Sequence, residues 1–333
     1  MSPVSEVEET ASIPPRASVV IPVKNGGELL VRVLERILAQ DTPWPFEVLV
    51  IDSGSRDGSQ ARVREFGVRL HEIPPAEFGH GRTRNLGVSL TRGAAVAFLT
   101  QDALPADEHW LRRLVEATEL APDTAGAFGP HLPYPDCNPI TARELALHFQ
   151  GFGESPNVVR LEDPERYARE PGYRQYLHYF SSNNACIRRS VWERVPLPEV
   201  DFAEDQLWAQ KAVEAGFAKA YAPGARVYHS HNFGVREGYR RAFDESRALR
   251  RLFGYVLVPN LRHLQGHWRR MVWRDWRWIR EARLPWSRTL GWWWRIPLLN
   301  LARLSGFYLG GRQEHLPEWL VERLSRDKTL QRS

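Results

Sequence analysis

Residues 18–51 read SVVIPVKNGGELLVRVLERILAQDTPWPFEVLVI, and this stretch decides the fold class. Ser18 to Val23 and Glu47 to Ile51 are short apolar runs. Between them Leu29, Leu30, Val33, Leu34, Ile37 and Leu38 recur at helical spacing. Strand, helix, strand is the βαβ unit of a parallel sheet. Working outward, Val68 to Ile73 and Ala94 to Leu99 read as further strands, and Arg82 to Leu90 and Asp107 to Leu120 as helices. The alternation predicts a Rossmann-like, doubly wound, mostly parallel α/β sheet over residues 17–130. Ligands of such sheets bind beyond the carboxyl ends of the strands, which points to the residues just after Val23, Ile51 and Leu99.

The rest of the chain is organised differently. Residues 131–180 are irregular and rich in Pro, Tyr, His and Phe. Glu204 to Gly216 reads as an amphipathic helix ended by glycine, and Arg226 to His229 as a short strand. Beyond about residue 235 the pattern is helical and rich in arginine and tryptophan. Four segments follow: a polar, acidic tail over 1–16 expected to be disordered, a nucleotide-binding half over 17–130, a second half over 131–234, and a helical extension over 235–333.

Of 333 residues, 43% are hydrophobic and 26% charged, enough to bury a core. The net charge is +5, and lysine occurs at four positions only, Lys24, Lys211, Lys219 and Lys328. Arginine dominance suits anionic ligands and interfaces, although genome composition produces the same bias. Cys137 and Cys186 form no CxxC pattern, so neither a zinc cluster nor a disulfide framework is indicated, and a reducing cytoplasm fits. The first sixteen residues lack a signal peptide's basic and apolar regions. No uncharged apolar run approaches the roughly 18 residues of a membrane span.

Four stretches carry candidate chemistry. Val50-Ile-Asp-Ser-Gly-Ser-Arg-Asp-Gly-Ser59 ends an apolar strand, and Asp52 there is placed to accept hydrogen bonds from a base or ribose. By itself it also reads as a plain βα turn. Phe98-Leu-Thr-Gln-Asp-Ala-Leu-Pro105 ends a strand in one carboxylate, Asp102, suited to holding a divalent cation against a pyrophosphate, or to capping the next helix. Glu204 and Asp205 open a helix, where acids are usually dipole and cap residues. Tyr228-His-Ser-His-Asn232 puts His229 and His231 on one face, as metal ligands or as structural histidines. Gly79-His-Gly81 begins like a dinucleotide fingerprint, but the next glycine is misplaced at Gly87, and no P-loop occurs.

In this order the stretches resemble glycosyltransferase family 2, a family of GT-A fold. Its Pro-x-x-Asn-like turn is matched by Ile21-Pro-Val-Lys-Asn25, and its DDGSxDGS-like turn by Asp52 to Ser59. Its Gly-x-x-x-Arg-Asn-x-Gly segment is matched, one spacer short, by Gly81-Arg-Thr-Arg-Asn-Leu-Gly87. A DxD-like motif, Asn-Asn-Ala-x-x-Arg-Arg over Asn183 to Arg189, and Glu-Asp follow. Thr100 stands where the first Asp of DxD is usual, leaving Asp102 alone. Phe78 to Asn85 with Leu99 to Ala103 is similar to the bacterial rhamnosyltransferase branch, which uses dTDP-L-rhamnose.

The resemblance implies an inverting transfer from a nucleotide-sugar donor to a glycan or lipid-linked acceptor in surface polysaccharide synthesis. It implies a donor site of Pro22, Asn25, Asp52, Ser53, Arg82, Arg84, Asn85, Gln101 and Asp102. It also implies a Mg²⁺ or Mn²⁺ ion on Asp102 with His229 and His231, Asp205 as general base beside Glu204, and Asn183 and Asn184 near the sugar or acceptor. Arg82 and Arg84 are expected to meet the leaving phosphates.

Two rivals lose ground. A sugar nucleotidyltransferase needs a longer glycine-rich loop with a basic pair after the first strand than Val23-Lys-Asn-Gly-Gly27 supplies. A non-catalytic carbohydrate-binding protein would have no use for Asp102 and Glu204-Asp205. In the extension, residues 262–295 hold nine arginines, and nine of the thirteen tryptophans lie beyond residue 260. Two readings stand: helices docking on an anionic membrane surface, or a packed cap or homodimer interface. No nucleic-acid motif accompanies these residues, so nucleic acid is not an expected partner.

Overall fold

The computed structural model describes residues 14–200, 202–282 and 286–325. The disorder expected of the tail falls mostly on residues 1–13, which lie outside the described residues, as does Asp201. Strands β1 to β6 are Ala17–Val23, Phe46–Asp52, Arg69–Glu72, Ala95–Leu99, Leu104–Pro105 and Thr124–Phe128. Strands β7 to β11 are His131–Leu132, Asn157–Val159, Asn184–Arg188, Ala218–Tyr221 and Val227–Tyr228. Helices α1 to α7 are Gly27–Leu38, Ser59–Glu65, His80–Leu90, Trp110–Ala117, Pro139–Gln150, Pro164–Arg169 and Pro171–His178. Helices α8 to α13 are Arg189–Trp192, Glu204–Glu214, Val235–Phe253, Leu261–Glu281, Trp286–Gly310 and Glu318–Leu324.

One eight-stranded sheet runs β3-β2-β1-β4-β9-β6-β10-β8, and a small sheet runs β5-β11-β7. Strand β1 pairs in parallel with β2 on one side and β4 on the other, so the order reverses beside β1. Alternate residues face opposite sides. Val19, Ile21 and Val50 join Leu30, Leu34 and Trp110 in one core layer, while Val20, Leu49 and Phe98 join Val88 and Trp208 in the other. Both faces are therefore buried, which is why these strands read as continuous apolar runs.

Strand β9 was not expected as a sheet member, and it is antiparallel to both neighbours, β4 and β6. Its register sets Leu99 opposite Asn184, so the residues just before β9 emerge where those just after β4 do. The two halves read from the sequence thus share one sheet.

The extension folds as α10 to α13. Helix α12 crosses α10 at Gly306 and Gly310, where a Cβ would lie 2.4 Å from the Tyr239 carbonyl oxygen and 2.2 Å from that of Phe243. Only glycine allows that approach. Pro297 inside α12 cannot donate to the Trp293 carbonyl four residues back. Trp276 Nε1 donates to it instead at 3.1 Å, and Trp268 Nε1 donates to the Pro297 carbonyl at 2.9 Å. These tryptophans are turned inward, around Val272, Ile279 and Ile296.

Candidate active site

At its carboxyl end β1 parts from β4. Their pairing stops at Val20–Phe98, and Pro22 just beyond has no N–H to extend it. Gln101 spans the gap, accepting from the Lys24 N–H at 2.8 Å and donating to the Lys24 carbonyl at 3.1 Å. The Asn25 N–H donates to Ser55 Oγ, and the Asn25 amide oxygen accepts the Arg56 N–H, both at 2.8 Å. Asp52 accepts from the Gly54 and Ser55 N–H groups, from Gln60 Nε2 and from the Ser55 hydroxyl. Ser53 Oγ donates to the Val23 carbonyl at 3.0 Å. Pro22, Asn25, Asp52, Ser53 and Gln101 are thus gathered at one crevice, at the reversal of strand order where such folds take their ligands. Asp52 and Ser53 are buried and spent on the turn, so they shape the crevice through the backbone they hold.

Asp102 follows β4, and the small sheet brings its companions. Tyr228 pairs with Leu104 and Val227 with Pro105, antiparallel. Continued past the last pair, that register carries 229–231 alongside 102. His229 Nε2 lies 3.5 Å from Asp102 Oδ1, and His231 Nε2 lies 3.6 Å from Asp102 Oδ2. The three ligand atoms lie within 4.8 Å of one another. Atoms bound at about 2.1 Å to a shared ion sit roughly 3 to 3.5 Å apart, so the group fits a divalent cation with little movement. One carboxylate with two imidazoles suits a borderline metal. Burial pushes His229 down to about 4, against the pull of Asp102, which leaves its imidazole unprotonated and able to ligate.

On the far side, Asp205 Oδ2 accepts the Ser182 N–H at 2.9 Å, and Oδ1 accepts the Gln206 N–H at 2.8 Å. Burial, with the Glu204 carboxylate beside it, pushes Asp205 up to about 7, where a general base works best near neutral pH. Glu204 is buried and pairs with Arg84 at 2.9 Å. Ala203 precedes it with φ 57°, and Asn25 has φ 54°. These are the non-glycine residues with left-handed backbone among those described, and both border the site, where such strain tends to collect.

Several expected ligand contacts are taken by the protein itself. Arg84 is buried against Glu204 and the His80 and Ser182 carbonyls, so it supports the acidic pair rather than facing phosphate. Arg82 lies outside, paired with Glu199 at 3.1 Å. Asn85 ties α3 to the 192–197 segment, accepting from Trp192 Nε1 and the Leu197 N–H and donating to the Leu197 carbonyl. Asn184 is fully buried, accepting Trp110 Nε1 at 2.8 Å and donating to the Pro130 and Ala225 carbonyls. Asn183 stands next to it at the mouth of β9, half-buried. In Asn85 and Asn184 the motif is legible but the role is decided by neighbours far along the chain. Asn184→Ala strands a buried indole N–H and should cost at least ~2 kcal/mol. It should appear as a lower midpoint in denaturant unfolding; unchanged stability with a raised acceptor KM would restore an acceptor role.

One member carries no motif. His131, on β7, stacks edge-on against His229, ring centroids 5.0 Å apart, and its Nε2 lies 3.5 Å from Ser181 Oγ. It joins the metal-type cluster to the 181–182 segment that holds Asp205. Nothing in its sequence neighbourhood signals this.

A mostly parallel sheet whose order reverses beside β1, with an Asp–His cluster beyond β4, fits a nucleotide-sugar transferase of GT-A fold. The chain belongs to glycosyl transferase family 2, whose profile matches residues 18–195. It is similar to the O-antigen chain rhamnosyltransferase RfbN of Salmonella typhimurium, 36% identical over 235 residues, 69% of this chain and 71% of the relative. The O-antigen chain rhamnosyltransferase WbaN of Salmonella anatum is 30% identical over 233 residues, with the same shares of 69% and 71%. In fold the chain is similar to glucosyl-3-phosphoglycerate synthase of Mycobacterium tuberculosis, TM-score 0.51 at 16% identity, covering 74% of this chain and 82% of that one. Residues 1–349 of S. aureus TarS give TM-score 0.50 at 16% identity, covering 90% and 92%.

Proposed function

We propose that this glycosyltransferase moves L-rhamnose from dTDP-L-rhamnose, with inversion, to a hydroxyl of a glycan or lipid-linked acceptor in surface polysaccharide synthesis. The likeness to the two Salmonella rhamnosyltransferases supports the sugar. The observation that carries the mechanism is the joining of Asp102, His229 and His231 to Asp205 through His131 and residues 181–182.

Pro22, Asn25 and Gln101 frame the nucleotide end of the crevice, over the turn that Asp52 and Ser53 hold. Asp102, His229 and His231 hold Mg²⁺ or Mn²⁺, which when bound supplies positive charge to the diphosphate. Asp205 takes the acceptor hydroxyl's proton as that oxygen attacks the anomeric carbon from the face opposite the diphosphate, hence inversion. Glu204, held in place by Arg84, keeps Asp205 basic through its negative charge, and the Ser182 N–H fixes its direction. Asn183 stands where the acceptor enters.

A thermal-shift series with dTDP-rhamnose, UDP-glucose and GDP-mannose, with and without Mn²⁺, tests the donor. A donor at a hundred times its Kd adds about 2.7 kcal/mol of stability. Stabilisation by the UDP or GDP sugar alone would remove the rhamnosyl assignment.

The second part of the reading places the enzyme at an anionic membrane surface. Trp273 is 71% exposed, Trp294 58% and Trp293 46%, while Arg262, Arg269, Arg270 and Arg280 are exposed on α11. Aromatic and cationic side chains together suit the headgroup region. No helix among the described residues is long and apolar enough to cross a membrane. The protein should co-sediment with anionic vesicles, less so at high salt, because exposed charges are screened. Equal, negligible binding to anionic and neutral vesicles would leave these residues to a homodimer interface.

A further inference from the structure

The candidate cation ligands come from two separate stretches of chain, Asp102 after β4 and His229 with His231 after β11. A third stretch, residues 134–138, is fastened to both. It follows β7 and leads into α5. Tyr134 grips both ligand segments at once. Its hydroxyl donates to the Asp102 carbonyl at 3.0 Å, and its N–H donates to Ser230 Oγ, also at 3.0 Å. At the other end of the stretch, the Asn138 N–H and Nδ2 donate to Asn232 Oδ1 at 2.8 and 3.1 Å. Between these, the Asp136 carbonyl accepts from Asn232 Nδ2 at 3.0 Å.

The alternation of an extended chain explains the pattern. Past β11, the side chains of His229 and His231 reach Asp102, while those of Ser230 and Asn232 reach residues 134–138. Each histidine is therefore followed by a residue pinned elsewhere. The stretch that pins them is itself anchored. Asn138 caps α5, its Oδ1 accepting the Thr141 N–H at 2.9 Å, and Trp278 Nε1 of α11 donates to the Pro139 carbonyl at 3.3 Å.

An ion binds more tightly when its ligands already stand near bonding geometry, because their ordering was met on folding. We propose that Tyr134, Ser230 and Asn232 are positioning residues for the divalent cation, holding the Asp102 and His229–His231 segments at ligand spacing before the ion arrives. They act on the backbone that carries the ligands rather than on the ion. This rests on the cation reading above. It gives the irregular stretch after β7 a part in the reaction, and it explains why an asparagine follows the two histidines.

The test is calorimetric titration of Mn²⁺ alone into full-length wild type, Tyr134→Phe, Ser230→Ala, Ser230→Thr and Asn232→Ala, with the midpoint of denaturant unfolding measured for each. Tyr134→Phe loses the hydroxyl but keeps the ring, whose centroid lies 6.0 Å from that of Tyr228. Tyr134→Phe, Ser230→Ala and Asn232→Ala should each weaken Mn²⁺ roughly 10-fold, the usual effect of removing a group that holds a metal ligand in place. Ser230→Thr keeps the oxygen that accepts the Tyr134 N–H, so it should stay within about 2-fold of wild type. Midpoints should change little, since each variant loses only partly exposed hydrogen bonds. Lowered midpoints with Mn²⁺ affinity unchanged would make these bonds structural only and overturn the proposal. So would unchanged affinity in all three loss variants, or a Ser230→Thr as weak as Ser230→Ala. A wild type that binds no Mn²⁺ would overturn the cation reading, and this proposal with it.

Discussion

Asp205→Asn should lower kcat at least ~10²-fold, the usual share of a general base, while donor Kd stays within about 2-fold. The asparagine can still accept the Ser182 N–H that holds the aspartate at 2.9 Å, so the turn should keep its shape. What it loses is the capacity to accept a proton. In the wild type, kcat should rise with pH from about 6 to 8, because Asp205 sits near 7 and must be ionised to act.

Glu204→Gln separates the two acids. It removes the negative charge that helps raise Asp205, so the acid limb should move to lower pH. It also leaves Arg84 buried without its counter-charge, and breaking such a pair costs about 3 kcal/mol or more. The expected variant is less stable but active, with a shifted profile. Full activity in Asp205→Asn together with an inactive, folded Glu204→Gln would reverse the roles.

Asp102→Asn should lower transfer by ~10²-fold or more, since charge stabilisation by a bound cation is worth several kcal/mol and each 1.4 kcal/mol is about a decade. It removes the one carboxylate among the three ligands. Mn²⁺ affinity, read by calorimetry, should fall in parallel, and unfolding should change little because Asp102 is partly exposed. Undiminished transfer in EDTA, together with full activity of the variant, would end the metal assignment. His229 and His231 to Ala, taken singly, should weaken Mn²⁺ by smaller factors.

The βαβ start was legible in residues 18–51 because a strand buried on both faces and a one-sided helix leave different periodicities in the chain. The carboxyl-end rule then located Asp52, Gln101 and Asp102 without any coordinates. The motifs singled out Glu204 and Asp205, and His229 and His231, which the fold brings beside Asp102. What local pattern cannot carry is the partner of each side chain. Arg84 and Asn85 belong to the Gly81 to Gly87 motif and were expected at the donor, Arg84 on its phosphates. Their partners, Glu204 and Leu197, lie more than a hundred residues away, and only folding chooses them over a ligand. Asn184 fell to the same ambiguity, being claimed by Trp110.

The sequence by itself determined the fold class, the chemistry available at the strand ends and the identity of the acidic pair, because these depend on periodicity and on residue type. The tertiary structure alone decided that β9 enters antiparallel, that β5 and β11 pair so that His229 and His231 meet Asp102, and that His131 stands between the two clusters. It alone divided the tryptophans into inward donors and exposed rings. The physical reason is common to all of these. Strand register and helix crossing are long-range contacts, set by which buried surfaces fit, and no residue's near neighbours encode what it will meet across the fold.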